Sequence, residues 1–455
     1  MSQKYDFPKS FWTANVTELF ERAAYYSMAS FVVIYLGQLG LGDYWPSTLN
    51  GVLWTLIYFL PVLSGTIADQ IGFKKALIIA FVLLFVGYFM MSFPVFFFGK
   101  SLNPIIEKEI TAGIEVVLPV IIAILLIGVG GSFVKPCISG TVQKTSAGKA
   151  TLAFAIFYMV INIGSLTGRG IAYYVRTQSS LTYIFVVASV CSIVALFVVL
   201  FLYNDPEKEL GIKNDKPRKT IKEILINMVL VLKNIRFALF LLVSSGFFFL
   251  YAQVYNVLPL YLKKTIETNP PVDLYTMANP LVIVFFQLLV TKIFGKMKPI
   301  RSIIVGIIII SLSMIINVIP LFVEGGVYRD VLSILPLGSL FIVMTVALIA
   351  FGELFASART YEYIGALAPK GQEGLFLGYA NLPMAIGALL GGPVGAAIFN
   401  EIMCKDATRL ENGLLRLQPE SAIKGWLVLM LIGFASTVSM YIYNRWIERQ
   451  KLAES

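Results

Sequence analysis

Gly65-Thr66-Ile67-Ala68-Asp69-Gln70-Ile71-Gly72-Phe73-Lys74-Lys75 is a short polar turn between two long apolar runs, and the organisation of the chain unfolds from it. Gly72 permits the reversal, Asp69 can face helix ends or basic groups, and the two lysines mark the side of a membrane. The flanking runs are each long enough to cross a bilayer at about 1.5 Å per residue. Similar runs recur, centred near residues 25, 57, 87, 130, 162, 192, 249, 283, 311, 347, 386 and 435, which predicts twelve spans. With 58% hydrophobic residues, 14% charged and a mean hydropathy of +0.80, the 455-residue chain is too apolar for a soluble protein of this size. The runs lack the polar alternation of barrel strands, so an all-α, polytopic membrane protein is expected.

Residues 204–235 are the longest polar interruption, with six apolar runs on either side. The expected organisation is therefore an N-terminal six-helix bundle over 1–203, a cytoplasmic linker with a possible amphipathic helix over 204–235, and a C-terminal six-helix bundle over 236–455. Lysine and arginine counts set the orientation. With the N-terminus inside, 22 fall on inner segments and 10 on outer loops, so both termini are expected in the cytoplasm. The net charge of +10 is thus mainly topology, and a nucleic-acid partner is not expected. The first apolar run is too long and too charged for a cleavable signal peptide, and a bacterial inner membrane is the expected location. Three cysteines give neither a disulfide framework nor metal-ligand spacing. Histidine is absent, so any proton relay falls to carboxylates.

Charges inside spans are expensive and functional by default. Glu18, Glu21 and Arg22 share one helical face in the first span, followed by Tyr25 and Tyr26, and the carboxylates and guanidinium can neutralise one another. Protonation would break such pairing and so couple a proton to a shape change. A structural ion pair is the plainer alternative. Lys135 lies in the otherwise apolar fourth span and needs a facing carboxylate. Arg169 lies seven residues from Asn162 on the same face of the fifth span and is expected to see a cavity, whereas Arg359 is expected to pair with Glu362.

The Gly65–Lys75 turn resembles the loop motif of the major facilitator superfamily, which implies that superfamily's fold of twelve helices in two six-helix bundles. The Glu18, Glu21, Arg22, Tyr25, Tyr26 cluster resembles the E-x-x-E-R-F-x-Y-Y signature of the proton-coupled oligopeptide transporter family. Gly128 to Ser139 with Lys135, Phe157 to Leu166 with Asn162, Asn279-Pro280, and Gly352-Glu353-Leu354-Phe355 are similar to further signatures of that family, in the expected order. The resemblance implies a central cavity in which Glu353, Asn162 and Asn279 meet a peptide's amino end. Arg22 and Lys135 would meet its carboxylate, and Tyr25 and Tyr58 would line the site. It implies proton coupling at Glu18, Glu21, Arg22 and Glu353, and gating at Asp69. Arg169 joins the expected substrate contacts on its position alone.

The chain departs from the pattern at several points. Ala252 stands where the family has a seventh-span acid that partners the fourth-span lysine, Ala29 stands where peptide-transporting relatives carry a second arginine, and Ala23 replaces the signature's phenylalanine. Ser357-Ala358-Arg359 replaces serine-proline, and the linker is too short for the two extra helices of many bacterial relatives. The function expected is a proton-coupled symporter importing di- or tripeptides or a peptide-like zwitterion or anion by alternating access. It would work as a monomer in the bilayer, with the proton as coupling ion and no cofactor. An exporter of amphipathic molecules coupled by proton antiport, and a non-transporting sensor of the same fold, are the alternatives. No enzyme is expected, since no nucleophile–base pair, phosphate-binding glycine loop or metal cluster is present.

Overall fold

The computed structural model describes residues 7–146, 150–211, 220–331, 333–367, 376 and 379–454. Among these residues ten helices are long and apolar enough to cross a membrane, and a bent pair, Trp45–Phe59 with Pro61–Ile71, makes an eleventh crossing. The remaining expected span is the pair Lys9–Ala29 and Val32–Gln38, whose first helix carries Glu18, Glu21 and Arg22 and so falls short in apolarity. Two short antiparallel hairpins, Asp330–Val331 with Leu335–Pro336 and Thr408–Arg409 with Leu415–Arg416, are the only strands among the described residues. The expected all-α membrane fold is borne out.

Contacts divide the chain into two compact units whose limits differ from the sequence bounds. The first comprises Met1–Ala29, Leu56–Lys100 and Gly113–Met228; the second comprises Ser30–Thr55, Ser101–Ala112 and Val229–Ser455. The far ends of the first two spans therefore pack with helices from the second half of the chain.

In the first unit, glycines set the helix spacing. A Cβ on Gly168 would lie 2.4 Å from the carbonyl oxygen of Ala23, and one on Gly164 would lie 2.7 Å from that of Leu19, so the fifth span rests directly on the backbone of the first. Pro136 interrupts the fourth span, Ile114–Thr145, and removes the donor for the carbonyl of Ser132. The hydroxyl of Ser64 on the second span donates to that carbonyl at 2.8 Å. At the end bearing the chain's N-terminus, Glu209 accepts from the amides of Lys9 and Ser10, each at 3.0 Å, and caps the first helix. Glu207 pairs with Lys144 at 2.6 Å, and Asp205 accepts from the amide of Lys74 at 3.5 Å, beside Gly72 with φ +90°.

The linker holds a helix, Ile221–Leu232. It begins with a reciprocal cap in which Thr220 N–H donates to Glu223 at 2.7 Å and Glu223 N–H donates to the Thr220 hydroxyl at 3.2 Å.

In the second unit the seventh span is broken. Helix Ile235–Tyr251 gives way to a tight 3₁₀ turn at Ala252–Tyr255, then to Val257–Tyr261 and a wide π-type turn at Leu262–Ile266. Pro259 cannot donate to the carbonyl of Tyr255. Asn50 donates to it instead at 3.2 Å, and also to Asn256 Oδ1 at 3.1 Å. A Cβ on Gly392 would lie 2.2 Å from the carbonyl oxygen of Ser47, and one on Gly51 would lie 2.6 Å from that of Ala388, so the second and eleventh spans touch backbone to backbone.

Candidate functional site

In the first span the i,i+4 spacing brings Glu18 Oε1 to 3.2 Å from Arg22 Nε, and Glu21 pairs with the same guanidinium nitrogen. Both carboxylates are buried, while Arg22 is slightly open. The second oxygen of Glu18 is buried without a hydrogen-bond partner among the described residues. The guanidinium lies 5.5 Å from the centre of the Tyr25 ring, which meets Tyr26 edge-on at 5.2 Å.

Arg22 and Glu21 open onto a small pocket lined also by Tyr25, Tyr58, Tyr88 and Lys135. Ile57, Leu84, Ile127 and Gly131 make its apolar walls. Lys135 Nζ lies 5.9 Å from the centre of the Tyr58 ring and acts electrostatically on Glu18. No carboxylate among the described residues forms an ion pair with Lys135. Two cations, one acid and three phenol rings thus share one small space. Such a set can hold a carboxylate by charge-assisted hydrogen bonds, and it can exchange a proton when an incoming anion competes for the guanidinium.

The structure brings together Glu18, Glu21, Arg22, Tyr25, Tyr58 and Lys135, all expected from sequence. Tyr88, on the third span Phe73–Met91, was not anticipated; its one available signal is a lone phenol in the uncharged apolar run that follows Lys75. Arg169 is fully buried and is not among the residues lining this cavity. Its guanidinium stacks 4.3 Å above the Tyr26 ring and donates to Ser165, because the glycines on its own helix press the fifth span against the first. Asn162 is buried, also lies outside the lining, and donates to the carbonyl of Tyr158 one turn back at 2.8 Å. Asp69 is exposed near the end of Pro61–Ile71.

In the second unit Asn279 donates to Glu353 Oε2 at 3.3 Å, joining the eighth and tenth spans through an amide–carboxylate contact. Glu353 is partly open and Asn279 is buried. Arg359 pairs with Glu362 at 2.5 Å and donates to the carbonyl of Gly295 at 2.7 Å, as the i,i+3 spacing predicted.

A multi-span helical protein with glycine-packed, proline-broken helices and charges buried around an internal cavity belongs to the membrane carriers. The sequence model of the Major Facilitator Superfamily matches residues 51–359, and the chain belongs to that superfamily. It is a transporter, not an enzyme. Among curated proteins, the "Dipeptide and tripeptide permease B" of Shigella dysenteriae is 24% identical over 506 aligned positions, covering 97% of this chain and 96% of the relative. The protein of the same name in Photorhabdus asymbiotica is 26% identical over 226 positions, covering 48% of this chain and 42% of that protein. A crystal structure described as peptide transporter POT in complex with sulfate superposes with a TM-score of 0.73 at 18% identity, covering 97% and 95% of the two chains. A POT family transporter in complex with 5-aminolevulinic acid gives 0.72 at 19% identity, covering 96% of each. The expected likeness to the oligopeptide transporter family is borne out by these relatives and neighbours together.

Proposed function

We propose that the protein is a proton-coupled symporter that imports di- or tripeptides, or a peptide-like zwitterion or anion, by alternating access. Its termini lie on the cytoplasmic side of a bacterial inner membrane, as the lysine and arginine distribution favours. The observation that carries this proposal is the shared cavity. Arg22, already paired with Glu18 and Glu21, opens on the same space as Lys135. A substrate carboxylate entering between the two cations draws Arg22 away from the glutamates. A carboxylate stripped of its counter-ion in an apolar span takes up a proton, so substrate and proton load together. The unpartnered Glu18 oxygen offers a place for that proton without loss of an existing hydrogen bond. Glu353, held by Asn279, supplies an acid suited to a substrate ammonium group and a second proton site. Asp69, exposed at the turn, is kept as a gating residue of the inner side. The names of the aligned permeases favour peptides as the first substrates to test.

The test is uptake of a labelled dipeptide panel into proteoliposomes under an inward proton gradient, with the parent protein and Glu353→Gln side by side. Uptake that needs the gradient and is lost in the variant supports the proposal. If no peptide is taken up by folded protein, the substrate class is different; export under a reversed gradient would make the protein an antiporter.

A further inference from the structure

A charge or hydroxyl buried in an apolar surrounding is costly unless something meets it. Asp43 and Lys264 meet each other at 3.1 Å with each side chain only 9% exposed, and the buried hydroxyls of Tyr203 and Thr141 share a hydrogen bond at 2.6 Å. Inside the pocket of the first unit, an acid oxygen and a phenol stand unmatched. Glu21 gives Oε2 to Arg22, and its other oxygen takes no hydrogen bond among the described residues. The hydroxyl of Tyr88 makes none either, although the residue is 1% exposed. Both residues line the same pocket, and Glu21 acts electrostatically on the phenol.

Span three holds the phenol in place. A Cβ on Gly87 would lie 2.7 Å from Ile127 Cγ1 and 3.0 Å from the Ile127 backbone nitrogen, so the third span lies tight on the fourth where Tyr88 leaves it. Leu84, one turn back, and Ile127 wall the same pocket, and the Tyr88 hydroxyl is the one polar group that span three brings to it. Glu21 is faced on its own helix by Glu18, Arg22, Tyr25 and Tyr26, by Tyr58 on span two, Tyr88 on span three and Lys135 on span four. Span five brings Arg169, stacked on Tyr26, and span six brings Cys191, which acts on Tyr88. Tyr25 and Tyr58 present their rings to the two cations, Arg22 and Lys135.

We propose that Tyr88 is a positioning residue that keeps the two glutamates of the first span unequal: its hydroxyl takes Glu21, directly or through one water, when Arg22 turns to a substrate carboxylate, and Glu18 is left to carry the proton. This assignment rests on the proton-coupled function proposed above and deepens it by saying which acid is loaded. Arg22 serves both acids at once, so drawing it away strips both of their counter-ion. Two bare carboxylates one turn apart in an apolar span compete for the proton, and the arginine alone does not decide between them. The phenol does. Its O–H donates a charge-assisted hydrogen bond to an ionised carboxylate and so favours the charged form of the acid it reaches. Glu18 does not line the pocket that holds Tyr88, and its second oxygen is buried without a partner among the described residues, so it gains no such bond. The one proton that loads comes from water and ends on Glu18, while Tyr88 keeps its own.

The test is an infrared titration of the full chain in proteoliposomes with no substrate added, so its failure is distinguishable from failure of the peptide-symport proposal. Arg22→Gln imitates the loaded state by taking away the shared cation, and Arg22→Met serves in its place if that variant does not fold. In this background one protonated-carboxyl absorption is expected across neutral pH, lost in Glu18→Gln and kept in Glu21→Gln. Adding Tyr88→Phe, which removes a single oxygen, is expected to bring a second absorption that Glu21→Gln abolishes. The midpoint at which Glu21 titrates should rise by at least about one pH unit, as loss of a hydrogen bond to a charged group requires. A purely structural role for the ring would leave the number of absorptions unchanged, since phenylalanine fills the same space. The proposal is overturned if Tyr88→Phe still shows a single absorption, if two appear with Tyr88 in place, or if the single one belongs to Glu21.

Discussion

The hydroxyl of Ser64 donates to the carbonyl of Ser132, the one carbonyl in the fourth span that Pro136 deprives of its helical donor. Asn50 performs the same service for Tyr255 opposite Pro259 in the seventh span. One span thus repairs the proline breaks in two others. Ser64→Ala leaves a buried carbonyl unsatisfied and is expected to lower stability by about 1–3 kcal/mol, read as a lower midpoint of thermal unfolding in detergent. The double variant Ser64→Ala with Pro136→Ala restores a backbone donor and should recover most of the loss; no recovery would show that the hydroxyl acts elsewhere.

Gly168 sets the spacing of spans one and five. Its absent Cβ would lie 2.4 Å from the Ala23 carbonyl oxygen and 2.8 Å from the Ala23 Cα, backbone atoms that no rotamer change can move. Gly168→Val is expected to cost about 1–3 kcal/mol by overpacking. Because Arg169 stacks on Tyr26 only at this close spacing, the same change should also alter Tyr26 fluorescence in a variant of reduced tyrosine content.

Lys135 faces the cavity with Tyr58 and has no directly paired carboxylate among the described residues. Lys135→Gln should raise the half-saturating concentration of a transported dipeptide by about ten- to a hundredfold, the range for a lost charged hydrogen bond. A carboxyl-amidated dipeptide should be handled alike by both proteins. Equal effects on free and amidated substrate would place the lysine away from the carboxylate.

Cys404 follows Met403, the last residue of the eleventh span, and burial pushes its thiol up to about 12, with Asp43 adding to the effect and Lys264 opposing it. A raised value keeps the thiol protonated at neutral pH, and the thiolate is the reactive form. With Cys137 and Cys191 replaced, maleimide labelling of Cys404 should therefore be slow at pH 7.5. Its rate should keep climbing with pH past about 8.5, where an ordinary cysteine levels off. A plateau near 8.5 would mean that the thiol is solvated.

Much of the first unit's cavity was legible in the sequence because its chemistry is local. Glu18, Glu21 and Arg22 lie within five residues, so helical spacing alone predicts their pairing, and the Arg359–Glu362 contact follows from the same rule. Lys135 was visible as a charge in an apolar run. Periodicity could not place Arg169, because whether a residue seven positions from Asn162 meets a cavity or a neighbouring helix depends on how closely that helix approaches. Two glycines bring that helix onto the first span, where Arg169 stacks on Tyr26. Nor could spacing reveal Asp43–Lys264, whose partners are 221 residues apart and meet through the register of three spans. The count of crossings shows the same limit: the first helix is a span in sequence order, yet its functional charges hide it from a test of apolarity.

The contact of the second and eleventh spans at Gly51 and Gly392 has a mechanical meaning. Helices that interlock through side chains behave like gears, since each ridge must climb out of its groove before the pair can part. Here bare backbone lies on bare backbone at Ser47–Gly392 and Gly51–Ala388, and no rotamer has to turn for the surfaces to slide or lift. The seam is a plain bearing, smooth in itself, with polar fastenings such as the Thr55 hydroxyl on the Ala385 carbonyl along its length.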